Sequence, residues 1–275
     1  MKLSFNTWVY SSFPVWVPAY PLEETIRRIA SIGYDGIEIG AAAPHAYPDY
    51  LDADARRTIR AILNQHGIEV SSMLPAPGGG PGFNVASPLE AERRNAIDQY
   101  IKVARLCADL GGQTILYVAG WQVYGTSGDQ AWAWSREALG VIARAAADMG
   151  VTLAIEPTPT DSNLVESCDD AIRLKREVGE PNVRLMFDTI HALYRNEVPT
   201  DYVYRMGLDL HHVHLADANR DAPSAAGKVD YVGLMAALKE VEFDGYVTME
   251  IGFNRRDVDP DAVARNAYTY IKSRL

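Results

Sequence analysis

Short, nearly uninterrupted apolar runs alternate with longer stretches of helical periodicity along the whole 275-residue chain. The strand candidates are Lys2–Trp8, where polar and apolar residues alternate, and the short runs Gly36–Gly40, Ile68–Met73, Thr114–Ala119, Val151–Pro157, Val183–Thr189, Leu210–Asp217 and Tyr246–Ile251. Between them, Leu22–Ile32, Ala53–Gln65, Pro88–Leu110, Ala131–Met149, Cys168–Val178, the short Tyr202–Gly207, Tyr231–Val241 and Pro260–Leu275 space apolar residues as amphipathic helices do. Eight alternating strand–helix units predict a parallel (β/α)8 barrel, a TIM barrel occupying residues 1–275 as one α/β domain, rather than a doubly wound sheet.

Local chemistry marks several boundaries. Gly33, Gly67, Gly111 and Gly150 each stand between a helical stretch and a strand, where a left-handed helix terminus favours glycine. Pro21 and Pro88 suit first helical turns, and Ser87 is the expected N-cap before Pro88. The Pro/Gly-rich stretch Pro75–Gly82 reads equally as a mobile element over the barrel mouth or as a turn-rich connection.

Composition narrows the function classes. A formal net charge of −10 opposes a nucleic-acid or anionic-membrane surface, which needs clustered Lys and Arg. Cys107 and Cys168 are the two cysteines, both in expected helices, so they read as reduced core thiols rather than a disulfide or a thiolate metal site. MKLSFNTW enters the first strand directly, without a secretory leader pattern, and no apolar run nears the roughly 20 residues that span a bilayer. A cytoplasmic location is the resulting expectation.

The chemistry gathers at strand ends. In LHHVHLADANR, alternation along an extended chain puts His212 and His214 on one face and His211 on the other. His214 stands near the end of its strand, and three other strands end in a carboxylate: LAIEP in Glu156, LMFDT in Asp188 and VTMEI in Glu250. Barrel enzymes build their sites at the C-terminal ends of strands. Strands five to eight thus bring three carboxylates and one imidazole to one place, a donor set suited to Mn²⁺, Mg²⁺ or Co²⁺, with zinc also open. Converging anions need such a cation, or they repel and take up protons.

The runs LAIEPTPTDSN, FDTIH, HVHLADANRDAP and GYVTMEIGF, with GYDGIEI, Pro44-His45 and FNVASP, resemble the sugar phosphate isomerase/epimerase superfamily of xylose-isomerase-like barrels. Within it they look most like the ketose 3-epimerases that act on tagatose, allulose or fructoselysine. The resemblance covers nearly the whole chain. It implies a divalent-metal-dependent epimerase of a keto sugar, with manganese the first expectation and a homo-oligomer, dimer or tetramer, the expected assembly; the lack of a G-x-x-x-x-G-K phosphate cradle favours an unphosphorylated sugar. Glu156, Asp188, His214 and Glu250 would be metal ligands, Glu156 and Glu250 also the acid/base pair, and His191 and Arg220 would hold substrate oxygens. The division is chemically sound: epimerisation beside a ketone needs bases on opposite faces of the carbon, and strands five and eight lie across the bore from each other. Trp8, His45 and Trp121, with Tyr10 and Trp16, follow strands one, two and four and are expected to wall the sugar.

Two departures concern the substrate. After Glu156 the family commonly continues E-P-L-N-R-Y-E, whereas EPTPTDSN offers only Asp161, shorter and displaced. After Arg220, Ala222-Pro223-Ser224-Ala225-Ala226-Gly227 replaces the usual A-P-G-x-G. The same barrel and ligand set also suit an aldose–ketose isomerase, a keto-sugar dehydratase, or the catalytic subunit of a C-glycoside deglycosidase working with a partner chain. A sugar-binding subunit without activity is a weaker alternative, because a binder has no use for two opposed bases.

Overall fold

A computed structural model describes residues 1–11, 18–75 and 80–275. The expected wall residue Trp16 and the centre of the Pro75–Gly82 connection lie outside the described residues. The strands are β1 (Lys2–Asn6), β2 (Gly36–Ala41), β3 (Glu69–Pro75), β4 (Thr114–Tyr117), β5 (Thr152–Ile155), β6 (Val183–Asp188), β7 (Leu210–Leu215) and β8 (Tyr246–Met249). All neighbours pair in parallel, and β8 returns to β1, with Phe5 opposite Met249, so the sheet is a closed barrel.

Outside it run α1 (Leu22–Ile32), α2 (Ala53–His66), α3 (Glu90–Leu110), α4 (Gly128–Ala147), α5 (Cys168–Val178), α6 (Thr189–Tyr194), α7 (Pro199–Met206), α8 (Tyr231–Glu240) and α9 (Pro260–Lys272). No helix among the described residues is long and apolar enough to cross a membrane. Gly33, Gly67 and Gly111 take the expected left-handed C-caps, while Gly150 is left-handed two residues beyond the cap Asp148. The helix after Pro88 starts later than expected: Leu89 is the cap of α3, and Ser87 Oγ accepts from the Leu89 amide instead. Both cysteines are buried and free.

Strand alternation divides the chain into two cores. Outward residues such as Phe5, Ile115, Tyr117, Phe187 and Val213 pack under the helices in one large apolar cluster. The bore itself is split. Leu74, Leu116, Ala154 and Met186 make an apolar half on β3 to β6. Ser4, Asn6, Glu38, Ser72, His212, His214 and Thr248 are buried in the other half, on β1 to β3, β7 and β8. Barrel interiors are ordinarily filled by branched aliphatic layers, so this polar half needs an explanation.

One register shift alters the predicted histidine pattern. Leu185 pairs with Leu210 and Met186 with His212, leaving His211 as an extra, bulged residue. His211 therefore does not join the outer core. Its Nε2 lies 2.9 Å from Thr114 Oγ1, and it lines the N-terminal mouth of the barrel with Lys2, Glu69, Asp244 and Tyr246. Burial, helped by His212 and Arg184, lowers its pKa from 6.5 to about 4. Through that window the unfolded chain holds a proton that the folded chain lacks, so stability falls as the pH drops from 6.5 towards 4. His211→Asn is expected to flatten this acid loss and leave stability above the window little changed; urea midpoints across the window check it, and an unaltered slope contradicts it.

Candidate active site

Each predicted ligand lies within one residue of the end of its strand: Asp188 closes β6, His214 is one residue before the end of β7, and Glu156 and Glu250 directly follow β5 and β8. Ala154 and Glu156, Met186 and Asp188, and His212 and His214 are pairs on one face of the strand, so a bore-filling residue is followed by one at the C-terminal mouth. Glu156, Asp188, His214 and Glu250 each offer one ligand atom, all within 4.8 Å of one another, and all four residues are buried. From His214 Nδ1 the distances are 3.3 Å to Glu250 Oε2, 3.6 Å to Glu156 Oε1 and 4.0 Å to Asp188 Oδ2.

Two atoms of this cluster, Glu156 Oε1 and His214 Nδ1, are buried without a hydrogen-bond partner. Buried ligand atoms left unpaired among three carboxylates and an imidazole are what a divalent ion would satisfy, and the oxygen-rich donor set suits a hard or borderline ion. A metal site is thus supported by geometry as well as by residue type.

Arg220 and His191 complete the cluster. Arg220 Nη1 donates to both Asp188 Oδ2 and Glu250 Oε2 at close range. Its backbone lies in the left-handed region, as does that of Asn219 (φ 58° and 61°). Such conformations are held only where neighbours enforce them, and here Gly252 N donates to Arg220 O while Asn254 Nδ2 donates to Asn219 O. His191 reaches the site through α6, a helix that the sequence pattern does not reveal. Asp188 Oδ1 caps that helix by accepting from Ile190 N at 3.0 Å, and the turn carries His191 Nε2 back to 4.0 Å from Glu156 Oε1.

The ionisable groups separate into two kinds. Burial first, then the charges of Glu250 and Asp188, pushes Glu156 well above the ordinary carboxylate range. Burial likewise raises Glu250, although Arg220 and His214 oppose it. For Asp188 burial is outweighed by Arg220, His191 and His214, and its pKa falls. The two flanking glutamates thus hold protons more readily than the aspartate between them. Burial lowers His191 to about 4, so it stands at the mouth as a neutral imidazole.

The remaining expected contacts are placed differently. Asp161 is exposed on the loop after β5, bonded to Thr160 Oγ1, and close enough for its charge to act on His191. Trp121 is 38% exposed on the loop after β4. Asn84 holds its backbone from both sides, accepting from Trp121 N and donating to Trp121 O. Trp8 is buried, and its ring fills the space above Gly40, where a Cβ would lie 2.3 Å from the indole. His45 is buried beside Tyr20, with its Nε2 2.8 Å from the Tyr20 carbonyl, and is anchored there rather than in the carboxylate cluster.

Sequence reasoning missed Glu38. This β2 residue is fully buried, and its Oε2 lies 2.8 Å from His214 Nε2, on the side of the ring opposite the carboxylates. Its signal is a lone charge inside GIEIG, in a strand whose every residue is buried.

Residues 26–274 match the family described as xylose isomerase-like TIM barrel. The chain belongs to this family. Among its relatives, fructoselysine 3-epimerase of Escherichia coli O157:H7 is 26% identical over 236 residues, covering 84% of this chain and 86% of that protein. The 3-dehydro-D-guloside 4-epimerase of E. coli K12 is 24% identical over 262 residues, 91% of this chain and 94% of that one. A similar solved structure is D-allulose 3-epimerase from Methylomonas sp., with a TM-score of 0.85 at 23% identity over 100% of this chain and 98% of that one. Within this xylose isomerase-like family, the cluster on β5 to β8 sits at the mouth where barrel enzymes place their chemistry.

Proposed function

We propose that this chain is a metal-dependent sugar epimerase that inverts a carbon next to a ketone, most directly C3 of an unphosphorylated ketose. The observation that supports this best is the pair Glu156 and Glu250, buried directly after β5 and β8 and within 3.6 Å and 3.3 Å of His214 Nδ1, both with raised proton affinity. Inversion needs one group to take a proton from one face and another to return a proton to the opposite face. One flanking glutamate acts as base while the other, protonated, acts as acid, and the roles exchange for the reverse reaction. Asp188, kept ionised, and His214 anchor the site without moving a proton. Arg220 and His191 hold oxygens of the sugar and its enediolate, Arg220 as a fixed cation and His191 as a neutral donor. Asp161, Trp8, His45 and Trp121 belong to the wall and rim around the substrate in this reading.

Glu156, Asp188, His214 and Glu250 would hold the ion, manganese first and magnesium or cobalt next. Such an ion supplies Lewis-acid stabilisation of the negative charge that develops on the substrate oxygens.

The relative that is a 4-epimerase favours one second reading: a 3-keto-glycoside inverted at C4. The proton removed is again the one beside the ketone, so the same pair of glutamates serves. Proton NMR in D₂O with Mg²⁺-loaded protein, against free ketoses and 3-keto-glycosides, tests both. Deuterium at C3 of a ketose together with its C3 epimer is expected; exchange and inversion at C4 of a keto-glycoside selects the second reading. Loss of an aglycone or of water, or no exchange with any substrate, overturns the epimerase reading.

A further inference from the structure

The polar half of the bore converges on one side chain. Glu38 Oε1 accepts from Asn6 Nδ2 at 2.8 Å, and Oε2 accepts from Ser72 Oγ at 2.5 Å. The same Oε2 lies 2.8 Å from His214 Nε2 and 3.2 Å from His212 Nε2. His212 is itself tied to Thr248 Oγ1 at 3.0 Å. A buried ion pair is costly to desolvate, and well-packed apolar residues of similar volume often replace the whole pair without loss of stability. The other half of this bore shows that an apolar filling is available to the fold.

We infer that Glu38 is a positioning residue for the metal centre: it holds His214 with hydrogen on Nε2, so that the Nδ1 lone pair faces the cluster of Glu156, Asp188 and Glu250. This rests on the proposed reading of that cluster as a metal site. An imidazole that binds a cation through Nδ1 must carry its hydrogen on Nε2, and the acceptor facing Nε2 fixes both tautomer and ring plane. Glu38 is that acceptor, and His214 Nδ1 is left buried with no hydrogen bond. Asn6 and Ser72 hold the carboxylate in turn, so β1, β2 and β3 aim a ligand that belongs to β7. Glu38, His212 and His214 are also close enough to one another to form a metal-binding trio. Hydrogen bonding accounts for them better, because Oε2 already accepts a hydroxyl and an imidazole N–H.

Replacement by glutamine keeps the shape but adds an amide donor. When that donor faces Nε2, the hydrogen moves to Nδ1 and blocks the ion. Mn²⁺ titrations followed by the EPR signal of free Mn²⁺ are therefore expected to show Glu38→Gln binding about 10- to 100-fold more weakly than wild type. Leu116→Ala, which opens the apolar half of the bore, should lower thermal stability and leave Mn²⁺ affinity unchanged. In ¹⁵N NMR of the Zn²⁺-loaded wild type, His214 should carry its hydrogen on Nε2. Where the glutamine variant does not fold, Glu38→Asp, which withdraws the carboxylate by one carbon, carries the same expectation. Wild-type affinity in the folded Glu38 variants, a hydrogen on Nδ1, or two ions bound per chain overturns the inference. A wild type that binds no divalent ion overturns the metal reading itself; wild-type affinity in the variants or a second bound ion leaves it standing, and a hydrogen on Nδ1 removes His214 from the ligand set.

Discussion

Glu156→Gln and Glu250→Gln are each expected to lower epimerisation by about 10³- to 10⁴-fold, the upper range for loss of a general acid–base group, while leaving half of the exchange chemistry in place. Each variant retains one carboxylate, and that carboxylate still faces one side of the reacting carbon. One variant should therefore wash deuterium into one epimer of the substrate, and the other variant into the opposite epimer. Glutamine retains a carbonyl oxygen at the ligand position, so an ion can still bind, and Mn²⁺ titration of each variant separates weakened binding from lost proton transfer. The double variant should show no exchange. If both single variants exchange both epimers, proton transfer belongs to another group and the two-base reading fails. The expectation follows from the shared burial of the two glutamates, which raises their proton affinity, and from the placement of the ionised Asp188 between them.

Much of this site is visible in the sequence because strands buried on both faces read as continuous apolar runs, and a carboxylate or histidine at the end of such a run stands out. All eight expected strands occur, yet several end sooner than the apolar pattern predicts: Val151–Pro157 shrinks to Thr152–Ile155. The last ladder bond runs one residue past the strand, from Glu156 N to Tyr117 O, and so fixes Glu156 at the mouth. Helix α6 is hidden because Thr189–Tyr194 is a single short turn fused to β6, and its start signal, Asp188, looks in the sequence like a ligand alone. The bulge at His211 depends on which residue of β6 opposes which residue of β7, and a single strand's sequence does not contain that register. Glu38 escapes notice for the opposite reason. Its strand is plain in the sequence, but the partners that neutralise a charge between two covered faces come from other strands, β7 above all.

Arg220→Ala should separate stability, ion binding and turnover, moving them in different directions. The guanidinium is 15% exposed and donates to Asp188 and Glu250, whose side chains are 0% and 6% exposed. Removing it leaves buried carboxylates unpaired, so the metal-free variant should lose about 3 kcal/mol, the low end for breaking a buried pair, since Glu250 can take up a proton instead. In the proposed metal site the ion and the guanidinium would draw on the same two carboxylates. Deleting the fixed positive charge should therefore tighten Mn²⁺ binding, and Mn²⁺ should raise the melting temperature of the variant more than that of wild type. Turnover should nevertheless fall by at least about 10²-fold if Arg220 has the role proposed for it, of holding the developing negative charge. Melting curves and Mn²⁺ titrations on the same preparations test this. Weaker Mn²⁺ binding in Arg220→Ala would make Arg220 a support for the ligand carboxylates rather than a competitor for them. The left-handed turn at Asn219 and Arg220, which aims the guanidinium at Asp188 and Glu250, would then serve the carboxylates' placement rather than the substrate.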